Sequence, residues 1–225
     1  MEKIGHRGAK AWIDENTLES IQKAIDLGVH AVEIDVHTCK SGELIVIHDP
    51  TLKRTTNGNG KIAKLSYSQI NSFKTTNGHN IPTLEQVLDF CQGKCQIHIE
   101  LKGKETAIKT ATLITNLVNN NKWTYNQLVV SSFKISKLAK IQKQNPNIRL
   151  GLIAHKNFNT QLDFAIKNNF YAFYAFHEKL KKPIVKLAKK HGLKIYCWTV
   201  NKQFNISKMT SLGVDGIITD NPEKL

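Results

Sequence analysis

Short β-rich runs alternate with stretches of helical periodicity along the whole chain, and this alternation constrains the fold more than any other feature. Nine runs read as strands: residues 4–6, 32–36, 44–48, 97–101, 129–133, 150–153, 171–176, 195–200 and 216–219. The link between the second and third, Cys39-Lys40-Ser41-Gly42, is too short for a crossover helix, so that pair reads as a hairpin. Setting the hairpin strand aside leaves eight strands with helical segments between them. That pattern predicts a (β/α)8 TIM barrel spanning residues 1–225 as a single domain. Asn16-Thr17 opens the first helix and Gly28 stops it, while Thr83-Leu84-Glu85-Gln86 fits a capping box. Residues 49–82 are polar and turn-rich, and read as a loop or small insertion after the third strand. A doubly wound open sheet is the rival architecture. No GxGxxG follows the first strand, which weakens any dinucleotide site.

In such a barrel, catalytic groups gather at the C-terminal ends of the strands. The polar residues there are His6 and Arg7, Glu33 and Asp35, His48 and Asp49, and His98, Glu100 and Lys102. Glu33 and Asp35 share one face of their strand by its two-residue period. Buried like charges repel unless a cation or proton lies between them. With Glu100 they make an oxygen-rich set suited to Mg²⁺ or Ca²⁺, with Mn²⁺ also possible. The plainer alternative is pairing of each carboxylate with a lysine or histidine, such as Glu100 with Lys102. His6 and His48 could supply a general acid and a general base near neutral pH, or simply be satisfied core residues. Arg7 offers a planar fork that suits a phosphate. Trp198 reads equally as core or as an apolar wall beside a ligand. His98 is expected to hydrogen-bond inside the barrel, His37 to face away from Glu33 and Asp35, and Arg54 to brace the long loop, for instance against Asp49. Cys91 and Cys95 read as ordinary thiols.

The charge balance raises a nucleic-acid reading. There are 32 Lys+Arg against 18 Asp+Glu, a net +14, but only Arg7, Arg54 and Arg149 are arginines. Bidentate base reading draws heavily on arginine, so the composition favours dispersed lysines over a specific nucleic-acid surface. Weak attraction to anionic membranes is still expected. No apolar stretch is long enough for a transmembrane segment or follows a basic start as a leader does, which points to the cytoplasm.

The ordered motifs of the chain resemble the glycerophosphodiester phosphodiesterase family. They run from Gly5-His6-Arg7-Gly8 and Glu15-Asn16-Thr17 through Glu33-Ile34-Asp35-Val36 to His48-Asp49-Pro50-Thr51-Leu52. Ile99-Glu100-Leu101-Lys102, Trp198-Thr199-Val200-Asn201 and Gly213-Val214-Asp215-Gly216 through Asp220-Asn221-Pro222 continue the series. The resemblance implies a barrel with one divalent cation on Glu33, Asp35 and Glu100. It implies His6 and His48 as the acid/base pair, with Arg7 and Lys102 on the phosphate. The implied substrates are glycerophosphodiesters such as glycerophosphocholine and glycerophosphoethanolamine, cleaved to glycerol 3-phosphate and an alcohol. Water or the substrate's own glycerol hydroxyl could be the nucleophile. Asp14, where the family often has proline, and Cys39 and Ser41 in the hairpin turn depart from the pattern. A lysophospholipase D-like reaction on lipids and a non-catalytic protein that binds anions or nucleic acid are the alternatives.

Overall fold

The computed structural model describes all 225 residues. Its strands are β1 Glu2–His6, β2 Ala31–Thr38, β3 Leu44–Val46, β4 Gln96–Leu101, β5 Leu128–Ser132, β6 Arg149–Ala154, β7 Ala172–Phe176, β8 Lys194–Trp198 and β9 Gly216–Thr219. They form one sheet in the order β1-β9-β8-β7-β6-β5-β4-β2-β3, and β1 also pairs with β2. Eight parallel strands therefore close into a TIM barrel. β3 is the extra strand, antiparallel to the end of β2 through Val36, His37 and Thr38. The helices are α1 Leu18–Asp26, α2 Tyr67–Asn71, α3 Leu84–Cys91, α4 Thr106–Asn119, α5 Ile135–Gln144, α6 Phe158–Lys167, α7 Lys182–Lys190 and α8 Gln203–Leu212. None is long and apolar enough to cross a membrane.

The expected caps form. The Thr17 side chain accepts from the Ser20 amide at the start of α1. Thr83 and Gln86 make the reciprocal capping box of α3. Each contributes about 1 kcal/mol by occupying amides that would otherwise lack partners.

The large core lies between the sheet and the helices, where Val32, Ile34, Ile97, Ile99 and Val130 point outward from their strands. A smaller cluster fills the barrel: Ile4, Ala31, Val129, Ile153, Ala172, Tyr174, Tyr196 and Ile218. Tyr174 and Tyr196 need room that ordinary side chains opposite them would take. A Cβ on Gly151 would stand 2.2 Å from the Tyr174 ring. One period further along each strand, the inward positions are His6, Glu33, Ser131, Trp198 and Asp220. The apolar plug thus forms the floor of the polar site.

Residues 49–82 carry more structure than a loop. They hold a 3-10 turn at Ile62–Lys64 and the short α2. Leu52, Ile62, Ile70 and Ile81 pack with Cys39, Ile45 and Ile47 in a separate apolar cluster. β3 stops at Val46, before the expected end, so His48 stands on the loop rather than on a strand. β2 persists to Thr38. Position 37 is then in phase with 33 and 35, which overturns the expectation that His37 faces away from them.

Candidate active site

The Gly5-His6-Arg7-Gly8 turn ends β1 and sets two of the candidate residues. Arg7 and Gly8 both have positive φ, at 55° and 90°. A Cβ on Gly8 would meet the Ser20 backbone at 2.6 Å, so only glycine lets this turn lie on α1.

Glu33, Asp35 and Glu100 each offer a carboxylate oxygen, and these oxygens lie within 4.8 Å of one another. Asp35 and Glu33 are almost wholly buried. Asn16 steadies Asp35 from both sides: its Nδ2 donates to Asp35 Oδ2 at 3.1 Å, and its Oδ1 accepts from the Asp35 amide at 3.2 Å. Two cations face the cluster. Arg7 Nε is 3.1 Å from Asp35, and Lys102 Nζ is 2.9 Å from Glu100 and 3.7 Å from Asp35. The Glu100–Lys102 pairing, the plainer alternative, is therefore present alongside the convergence of the three acids. Three carboxylates against two cations leave a buried excess of negative charge. Burial, then Asp35 and Glu100, push the Glu33 carboxyl well above its usual range. Burial, then Asp35, raise Glu100 to about 7. A cluster that must otherwise take up a proton fits a divalent cation by charge and by donor type.

His6 and His48 stand at the same opening, each tied to a carboxylate. His6 Nδ1 donates to Asp220 Oδ1 at 2.5 Å, and His48 Nδ1 donates to Asp49 Oδ1 at 2.6 Å. A carboxylate only accepts, so each neutral ring carries its proton on Nδ1 and its lone pair on Nε2. Burial lowers both imidazole pKa values, against the opposing pull of the nearby carboxylates, which keeps the rings neutral near pH 7. His37 Nε2 donates to the His48 carbonyl at 3.0 Å and fixes the loop there. Arg54 holds Asp49 with two bonds, Nε to Oδ2 at 2.7 Å and Nη2 to Oδ1 at 2.9 Å, as the loop-bracing reading expected. It also reaches Glu15, which pairs with Arg7 at 2.8 Å.

A cavity of about 230 Å³ joins these groups. His6, Arg7, Glu33, His48, Glu100 and Lys102 form its polar side, and Phe133, Ile153, Tyr174, Trp198 and Ile218 its apolar side. Trp198 is thus a wall of the cavity, with Phe133 edge-on at 5.5 Å and its Nε1 donating to the Tyr174 carbonyl. His98 lies below, fully buried, with Nδ1 3.0 Å from the Tyr174 hydroxyl. Lys137 of α5 donates to the carbonyls of Leu101, Lys102 and Gly103, which fastens the turn carrying Lys102. Cys91 and Cys95 are free and buried, away from this opening.

Asp220 is the residue that strand-end reasoning missed. It lies two positions beyond the inward-facing Ile218, so the strand period itself marks it.

The model of the glycerophosphoryl diester phosphodiesterase family matches residues 6–224. The chain belongs to this family. Its members are hydrolases, and a glycerophosphodiester phosphodiesterase of Caldanaerobacter subterraneus is 31% identical over 99% of this chain and 95% of its own length. A glycerophosphodiester phosphodiesterase of Agrobacterium tumefaciens has a similar structure, with a TM-score of 0.85 at 26% identity, covering 100% of this chain and 98% of that one. An Oleispira antarctica phosphodiesterase, solved with the product sn-glycerol-3-phosphate, has a TM-score of 0.90 at 24% identity, covering 100% and 94% of the two chains. The last likeness speaks to the fold.

Proposed function

We propose that this family member hydrolyses glycerophosphodiesters such as glycerophosphocholine and glycerophosphoethanolamine to glycerol 3-phosphate and the free alcohol, using a divalent cation. The observation that carries the reading is the pairing of two carboxylate-held histidines with a buried three-carboxylate cluster across one small cavity. Glu33, Asp35 and Glu100 would hold Mg²⁺, Ca²⁺ or Mn²⁺, which supplies Lewis-acid polarisation of a phosphoryl oxygen. Arg7 and Lys102 balance the remaining charge of the phosphate. One histidine Nε2 takes the proton of the attacking hydroxyl, and the other ring, once protonated, gives a proton to the departing alkoxide. Asp220 and Asp49 hold the two rings in the required tautomer and stabilise each imidazolium as it forms. Trp198 and Phe133 exclude water from the carbon skeleton of the substrate.

The test is release of glycerol 3-phosphate by protein stripped with EDTA and then supplied with each cation separately. Stripping should abolish turnover, and one or more of Mg²⁺, Ca²⁺ and Mn²⁺ should restore it. Undiminished turnover after stripping would rule out the cation, and silence with every cation would rule out these substrates.

A further inference from the structure

Six large apolar side chains are exposed: Met1, Trp12, Ile108, Phe133, Ile135 and Phe204. Scattered singly they would need no explanation. Five of them lie at one end of the barrel. Trp12 and Phe133 are on the loops after β1 and β5, and Ile108, Ile135 and Phe204 are in the first turns of α4, α5 and α8. In this fold those positions all ring the opening of the active site. Phe204 is 78% exposed and Trp12 53%, far more than packing against the barrel would leave.

The part of this rim from β4 to β8 is basic. The loops after β4, β5, β6, β7 and β8 carry exposed Lys104, Lys134, Lys156, Lys179, Lys181 and Lys202, with only Glu105 and Glu178 against them. Lys134, Lys181 and Lys202 occupy the N-cap positions of α5, α7 and α8, and none makes a side-chain cap. That position favours Ser, Thr, Asp or Asn, and a cation there opposes the helix dipole. At the other end of the barrel the lysines obey the dipole: Lys143, Lys167 and Lys189 fall in the last turns of their helices. The rim lysines therefore cost local stability, which points to a contact made in solution.

The geometry points to an anionic phospholipid surface as the partner of this rim. Trp12 donates to Asn221 after β9, beside β8 and the loop that leads to Phe204. Ile108, Phe133 and Ile135 stand on the neighbouring β4 and β5 sectors. Between the two apolar groups run the β6 and β7 loops with Lys156, Lys179 and Lys181. Aromatic and aliphatic anchors with lysines between them match a headgroup layer, which offers apolar depth and negative charge in one plane. A nucleic acid would answer the lysines and leave Phe204, Ile108 and Ile135 in water. Docking in this pose turns the catalytic opening toward the lipid.

The test is co-sedimentation of the full chain with phosphatidylcholine vesicles, with and without roughly a third phosphatidylglycerol, and without substrate. The reading therefore stands or falls apart from hydrolysis. Binding should require the anionic lipid, weaken with salt and shift tryptophan fluorescence to the blue, a shift that Trp12→Phe should remove. Lys181→Asp and Lys202→Asp each change the local charge by two and should each lower partitioning about thirtyfold. Because Asp is the better N-cap, their thermal midpoints should hold or rise, so weaker binding cannot be ascribed to unfolding. Phe204→Ser should lower partitioning about tenfold. All three should keep turnover of water-soluble diesters. No vesicle binding, equal binding to neutral vesicles, or anionic binding that Phe204→Ser leaves intact would each overturn the proposal. So would duplex DNA binding as tightly as the anionic vesicles.

Discussion

In the proposed reaction His6 and His48 depend on their neighbours to act as acid and base. Each ring donates a hydrogen bond from its Nδ1–H to a carboxylate and is left with one basic nitrogen, Nε2. His6→Ala and His48→Ala should each lower kcat by about 10²–10⁴-fold with little change in thermal midpoint. Near-normal turnover in either variant would remove that ring from the chemistry. Asp220→Asn tests the orienting group. It should lower kcat and move to lower pH whichever limb of the pH–rate profile His6 governs, because the Asp220 hydrogen bond and charge work to raise the His6 pKa. An unmoved limb with normal kcat would show that Asp220 does not govern His6. At this scale the sequence marks what lies on strands: Glu33, Asp35 and Glu100 interrupt apolar runs, and the two-residue period places the first two together. It does not reveal the carboxylate partners, because Asp220 meets His6 across 214 positions of chain and only closure of β1 on β9 joins them.

Elements carry the site by fastening their ends to each other. Lys137 projects from α5 and bonds the last carbonyl of β4 and the two that follow it. Burial, then Lys134, depress its pKa to about 8, so the ammonium is held at a cost that the three carbonyls repay. Lys137→Met leaves those carbonyls without their shared donor. It should destabilise the protein by about 2–3 kcal/mol in urea unfolding. It should also lower kcat through looser placement of Lys102 and Glu100. Loss of stability with unchanged kcat would make Lys137 a purely structural clamp. The helices between the barrel strands were legible from their apolar period, with caps marking α1 and α3, whereas α2 fell inside the segment read as a loop; the eight-strand count gave the barrel. The ends of β2 and β3 were not, because pairing between Val36–Thr38 and Leu44–Val46 decides where each strand stops. That tertiary pairing is also what puts His37 under the His48 loop.

For the molecule as a whole, the insertion over 49–82 is joined to the barrel by charge at the edge of the candidate active site. Asp14 accepts from the Asn77 amide and side chain at 2.9 and 2.7 Å. Glu15 lies between Arg7 of the barrel and Arg54 of the insertion. Turn-rich composition marked the insertion, yet these ties span 39 and 63 positions and have no local signature. They make the stability of the protein depend on acid pH. Burial alone would raise the Glu15 pKa, but Arg54 and Arg7 outweigh it and hold the carboxyl at about 2, against an ordinary 4.5. A depressed carboxyl contributes stability that is complete above its unfolded value and vanishes as pH falls through the folded one. Screening at the half-exposed Arg54 reduces the effect to about 2 kcal/mol. Glu15→Gln should therefore lower the thermal midpoint near pH 6 by roughly 4–8 °C. The gap to the unaltered protein should narrow from about pH 4.5 downward and nearly close near pH 2. Cleavage within 49–82 by an acid-active protease should appear over the same interval in the unaltered protein, and at higher pH in Glu15→Gln. A midpoint difference that stays constant with pH would mean that Glu15 contributes by packing and not through its charge.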